Sequence, residues 1–465
     1  MRLFQRLIAA LAVIVAAPLA MAQEVDIPFT QFELDNGLTV IVHEDHKAPI
    51  IAVNIWYHVG SKNEKEGRTG FAHLFEHLMF NGSENYDDDF FGPFKKIGTT
   101  GQNGTTSFDR TNYFQTVPTT GLDLALFLES DRMGHLLGAI DQDKLDEQRD
   151  VVKNEKRQGE SQPYGRVFNR LIEGLYPKGH PYSWLPIGSM EDLDAATLDD
   201  VKEWFRAYYG PNNAVLVLAG DITPELAREK AERYFGDIPP GPPITSHDSW
   251  VPRHDTVHRE VMQDRVPQTR IYKAWTAPPW VDDDNDFLSL ATSVLADGKT
   301  SRLYKRLVYE DQIATDVSSA ILPLELSGLV YIIATVQPGG DVAAVEAAID
   351  DELSRFLAKG PTKSELQRIK TQNKAAFVRG AERIGGFGGK SDILAENFVY
   401  GGTPDFYKKS LANIDNATPK QVQAVAKRWF TEGHYQLTVV PFDTTLTAKG
   451  DGIDRSALPY PTSYP

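Results

Sequence analysis

Short apolar stretches bounded by turn-forming residues recur along this chain. Leu38–His43, Ile50–Val59 and Thr111–Val117 are rich in β-branched and aromatic residues and read as strands. Leu122–Leu137 and Asp143–Gln158 space their apolar residues by three and four, the period of an amphipathic helix. The pattern then repeats. Leu193–Val201, followed by Trp204 and Phe205, is echoed by Ile414–Val422, followed by Trp429 and Phe430. Thr197 and Thr418 sit where a helix N-cap is expected, and each helix leads into an apolar run, Ala214–Leu218 or Tyr435–Val440. Pro49–Trp56 likewise parallels Pro267–Trp275, so the chain reads as a duplicated α/β unit of about 220 residues.

The prolines and glycines of Gly236–Asp248 can continue neither a helix nor a central strand and separate the two copies. The expected division is residues 23–238, a linker 239–250, and residues 251–465. The expected fold class is α+β. It consists of two homologous α/β sandwich domains, each a mixed or antiparallel sheet with helices on one face, in a clam-like arrangement.

The first residues carry Arg2 and Arg6, then Leu7–Ala22 without charge, ending Ala20-Met21-Ala22. That run is shorter than the roughly 20 residues needed to span a bilayer and has the form of a secretory signal peptide, residues 1–22, cleaved after Ala22. A periplasmic location is expected. Losing the two arginines takes the net charge from −16 to −18, which argues against nucleic acid or an anionic membrane as partner and favours basic or neutral substrates. There are no cysteines, so stability must come from a large core and any metal site must use His, Asp or Glu.

One stretch offers such a site. His73-Leu74-Phe75-Glu76-His77 lies within the apolar run Phe71–Phe80. On a helix His73 and His77 project about 40° apart, which suits two neighbouring ligands of a tetrahedral zinc ion. Glu76 stands beside them as a general base for water. H-x-x-E-H is the inverzincin order. A third ligand is needed from another element, and the helix around residues 142–157 offers Glu147 and Glu155.

With Gln148–Glu155, whose last residue Glu155 stands 78 residues beyond the motif, with Gly101–Tyr113 and with Gly298–Tyr304, the chain resembles the M16 (pitrilysin) metallopeptidases over nearly its whole length, and its two-domain form is similar to the M16B branch. The resemblance implies that His73, His77 and Glu155 bind one zinc ion per chain and that Glu76 is the base. It also implies that an edge strand around Asn103, Gly104 and Thr105 pairs with the substrate backbone, a mode that gives affinity with little side-chain selectivity.

Two positions depart from the family pattern. Where the family has Glu, seven residues before the third ligand, this chain has Gln148, which shares the helix face of Glu155 to within about 20°. Gln148 is expected to support a ligand by hydrogen bonding, with Glu147 as the weaker candidate. In the second half the family's substrate-contacting Arg and Tyr fall on Val308 and Thr315, neither of which can replace them. Arg302 and Tyr309 have the right separation in the wrong register. The expectation is therefore a zinc-bearing subunit whose paralogous partner supplies Arg and Tyr. The expected activity is a zinc endopeptidase acting on short or unfolded peptides. A processing peptidase for one exported precursor and a noncatalytic scaffold subunit are the alternatives. Gly385–Ser391 lacks the first glycine of a phosphate loop, Ile384 standing there, and reads as a turn between helices. His43, His46, His58, His135 and His180 lack a paired spacing and receive no metal role.

Overall fold

The computed structural model describes residues 25–442. The expected leader, residues 1–22, lies outside the described residues. Among the described residues, eleven strands form two sheets. In the first, β1 (Thr30–Glu33), β2 (Thr39–Glu44), β3 (Ile50–Tyr57), β4 (Thr100–Thr106), β5 (Thr111–Pro118) and β6 (Ala214–Gly220) run in the order β1-β2-β6-β3-β5-β4. In the second, β7 (Val257–Asp264), β8 (Arg270–Ala277), β9 (Ala314–Leu322), β10 (Gly328–Val336) and β11 (His434–Pro441) run in the order β7-β11-β8-β10-β9. Without β1 the two orders coincide, and each contains one parallel pair, β2 with β6 and β7 with β11, amid antiparallel neighbours. The duplication and the α+β class are thus visible in the topology. Thr197 and Thr418 both cap their helices with complete capping boxes.

Most helices of the first half gather on one face of their sheet. Val40, Val42, Val53, Ile55, Leu216 and Leu218 point into that core, while Ile41, Trp56, Val215 and Val217 alternate to the other side. The opposite face is not left to solvent. It is covered by the helix Lys390–Gly401, which comes from the second half. Reciprocally, the helix Val167–Leu175 of the first half lies on β8 and β11, against Tyr272, Tyr435 and Leu437. The two halves therefore exchange a helix, and each sheet is buried on both faces. The approach is close. A Cβ on Gly174 would stand 2.4 Å from the Tyr435 ring, so this helix can lie against β11 only with glycine there.

A buried polar knot crosses the same boundary. Lys62 is 4% exposed, its Nζ pairs with Glu325 of the second half, and Asp109 Oδ1 lies 3.6 Å away. Glu325 N donates to Asp109 Oδ2 at 2.9 Å, Tyr182 donates to Asp109, and His58 Nε2 lies 2.7 Å from Glu325. No regular structure occurs between Phe235 and Val257, where the linker was expected. No described helix is long and apolar enough to cross a membrane.

Candidate metal centre

The motif helix spans Phe71–Leu78 and buries Phe71, Ala72, Leu74, Phe75 and Leu78. Its N-cap is Gly70 at φ 91°, which has no side chain to satisfy the free N–H groups of the first turn. Glu64 does this instead. Its carboxylate accepts from Gly70 N at 3.0 Å, from Ala72 N at 2.9 Å and from Trp184 Nε1 at 2.9 Å. Burial pushes the Glu64 carboxyl up to about 8, against these three donors. Thr69 and Asp192 tie down the same end, with Thr69 N donating to Asp192 Oδ2 at 2.9 Å.

The second helix, Gln142–Ser161, starts at Asp141, whose side chain accepts from Lys144 N, and packs along the motif helix. This packing brings His73, His77 and Glu155 together, one donor atom from each lying within 4.8 Å of the others. Glu155 Oε2 is 3.8 Å from His73 Nε2 and 3.5 Å from His77 Nε2. Ligands of a tetrahedral zinc ion, each about 2.1 Å from it, stand roughly 3.4 Å apart. Burial, with a smaller contribution from the charge on His77, pushes His73 down to about 4, so it is neutral near pH 7 and its lone pair is free for a metal. His77 Nδ1 lies 3.3 Å from Gln148 Oε1. A carbonyl oxygen only accepts, so Nδ1 carries the proton and Nε2 is left as the donor atom facing Glu155. The residues present therefore fit a zinc ion. Glu147 is exposed on the same helix, and the structure does not bring it to this cluster.

Glu76 is 8% exposed beside the cluster. Thr106 Oγ1 donates to its Oε2 at 2.6 Å, leaving Oε1 for another partner. Burial pushes its carboxyl up to about 7, opposed by the bond from Thr106. β4 is the edge strand of its sheet and lies beside the motif helix. A Cβ on Gly104 would lie 2.8 Å from the Phe80 ring, so Gly104 faces the helix, as Thr106 does. Alternation then turns the side chains of Asn103 and Thr105 to the other face. Asn103 Oδ1 accepts from Gly104 N at 3.0 Å, and Thr105 bonds to Asn112. What β4 presents along its open edge is main chain.

Elsewhere, Val308 is packed against the second core and Thr315 Oγ1 accepts from Gln268 Nε2 at 3.1 Å. Arg302 is engaged by Glu365, with Nε to Oε1 at 2.8 Å, and Tyr309 is 53% exposed. His43, His46, His58 and His180 each face a protein oxygen, and His135 ends the helix Leu122–Gly134. The sequence reading did not single out Glu64, Trp184 or Thr106. A glycine at the N-cap of the motif helix was the available signal that an acceptor must come from elsewhere.

Residues 39–181 match the family model "Insulinase (Peptidase family M16)", and residues 195–373 match "Peptidase M16 inactive domain". The "Zinc protease PqqE" of Helicobacter pylori is 30% identical over 388 residues, covering 81% of this chain and 86% of that protein. Among solved structures, a protease from Helicobacter pylori superposes with a TM-score of 0.82 at 26% identity, over 90% of this chain and 100% of the other. The first half of the periplasmic protease PqqL from Escherichia coli has the same fold, with a TM-score of 0.72 at 20% identity over 89% and 92% of the two chains.

Proposed function

The chain belongs to peptidase family M16, and from that membership we propose that it is a zinc-dependent endopeptidase for short or unfolded peptides, working as the zinc-bearing subunit of a pair. The observation that carries the reading is the convergence of His73, His77 and Glu155 from two helices, with Glu76 buried beside them. That intact set argues against a noncatalytic scaffold. Zinc held there supplies a Lewis acid and lowers the pKa of water.

The residues of the chain do the rest. Gln148 fixes the His77 ring. Thr106 anchors Glu76 Oε2, so that Oε1 takes the proton of the attacking water and returns it to the leaving amine. The open edge of β4 pairs with the substrate main chain, which favours extended peptides and places little weight on their side chains. Truncating Gln148 to Ala leaves His77 Nδ1 without its acceptor. Zinc affinity is expected to fall roughly 10- to 100-fold, read by competition with a chromogenic chelator. An unchanged affinity would remove Gln148 from the site.

Val308 and Thr315 support the paired reading, because neither offers the charged or phenolic donor of the family. The partner would be a paralogous M16 chain carrying that Arg and Tyr. A periplasmic location is supported by the basic, then apolar, start of the sequence and by the likeness to a periplasmic protease. The test assays zinc content and cleavage of a fluorogenic unstructured peptide, for the chain alone and with a co-encoded M16 paralogue. Activity is expected to rise at least tenfold with the partner. Full activity alone, unchanged by the partner, would overturn the pairing, and absence of Glu76-dependent cleavage in both samples would overturn the peptidase reading.

A further inference from the structure

The β9–β10 hairpin of the second half is the counterpart of the β4–β5 hairpin of the first, since the two strand orders coincide once β1 is set aside. The two hairpins meet tip to tip. Glu325, in the loop between β9 and β10, donates its N–H to Asp109 Oδ2 at 2.9 Å, and its carboxylate pairs with Lys62 Nζ. Leu326 N donates to Tyr182 Oη at 2.9 Å, and Tyr182 in turn donates to Asp109 Oδ1. Phe108, at the tip of the first hairpin, is buried in one apolar cluster with Tyr182, Leu324 and Leu326.

The first tip is held stiffly. Ser107 N donates to Arg110 O at 2.8 Å and closes it. Ser61 N and Lys62 N donate to Ser107 O and Phe108 O at 3.2 and 2.9 Å. A Cβ on Gly60 would stand 2.4 Å from Phe108 O, so only glycine allows this approach. Immediately before the closed tip stands Thr106, whose hydroxyl holds Glu76 Oε2 at 2.6 Å. Bonds thus run from Glu325 through Asp109 and the closed tip to Thr106 and the carboxylate of Glu76.

We propose that Glu325 is a positioning residue for Glu76. The second half contributes none of the three converging metal donors, yet through the β4–β5 tip it sets where the Thr106 hydroxyl stands and so how Glu76 Oε1 is aimed. The inference rests on the peptidase reading. A base is sensitive to its aim, and a misplacement of about 1 Å can cost on the order of 10²-fold in rate. Without the Glu325 charge, Lys62 Nζ is left with Asp109 alone, 3.6 Å away, and the first tip loses part of its hold on the second.

Steady-state cleavage of a fluorogenic unstructured peptide tests it, in the presence of the co-encoded M16 paralogue and below the unfolding temperature of every sample. Glu325→Gln is expected to lower kcat about fivefold or more, with zinc content unchanged. Tyr182→Phe removes both hydroxyl bonds at the tips, touches no charge and is expected to do the same. The deciding readout is a Thr106→Val background. With that hydroxyl gone, either change should lower kcat further by less than about twofold, whereas losses through a different route would multiply. An unchanged kcat in either folded variant, full multiplication in the Thr106→Val background, or zinc lost together with kcat would overturn the inference and leave the peptidase reading standing. Absence of Glu76-dependent cleavage in the unsubstituted chain with its paralogue would overturn the peptidase reading, and this inference with it.

Discussion

Glu76→Gln is expected to lower peptide cleavage roughly 10²- to 10⁴-fold, the usual contribution of a positioned general base. That is about 3–5 kcal/mol of barrier. The substitution keeps the shape of the side chain and the oxygen that accepts from Thr106, and removes only the ability to take a proton. Glu76 is not among the three groups that converge on the candidate metal position, so zinc content should match that of the unsubstituted chain. The informative measurement is the pair of values, kcat/KM on an unstructured fluorogenic peptide and zinc by elemental analysis. Lost activity with zinc retained supports the assigned roles. Retained activity would show that another group accepts the proton, and lost zinc would mean that Glu76 acts as a ligand.

The largest stability effect is expected at Lys62. Replacing it by Met leaves Asp109 and Glu325 facing each other without their shared cation, in a region where Lys62 and Asp109 are 4% and 1% exposed. Breaking a buried pair from one side costs about 3–5 kcal/mol. Thermal unfolding should shift down by several degrees, and Lys62→Arg should recover part of the loss. The same knot predicts an acid limb. Burial opposes the charge on Glu325, but His58 and Lys62 outweigh it and hold the carboxyl down to about 2, well below the ordinary carboxylate range. The stabilisation is therefore complete above about pH 4.5 and is lost as pH falls towards 2. Glu325→Gln should flatten that limb of a stability–pH curve, and an unaltered limb would show that the pair contributes nothing across the boundary.

Much of the site was legible because its signals are local. The i, i+4 spacing of His73 and His77 needs only helical geometry, and the seven-residue spacing of Gln148 and Glu155 puts both on one face. The third ligand was not legible from spacing alone, since Glu147 and Glu155 are equally acidic. Family resemblance chose Glu155, and the structure carries that residue to the histidines. Glu64 was not legible because its role depends on where a loop returns, six residues before the N-cap Gly70 whose N–H it accepts from. Strand positions were readable from composition. Ala214–Gly220 also held a signal that was not used, because an uninterrupted apolar run marks a strand buried on both faces. The source of the second cover is a long-range fact that no local pattern contains.

That exchanged cover sets the size of the cooperative unit. Cutting the chain within residues 239–250 would sever no helix and no strand, yet neither fragment could complete itself. The amino-terminal piece would carry Val167–Leu175 without the β8–β11 surface it belongs on, and would bare Ile41, Trp56, Val215 and Val217. The carboxy-terminal piece would carry Lys390–Gly401 and bare Tyr272, Tyr435 and Leu437. Each fragment expressed alone should aggregate through its naked sheet face. Produced in one cell, the two should reassemble into a soluble pair by mutual complementation, so that the duplicated halves behave as one folding cooperative held together by reciprocity.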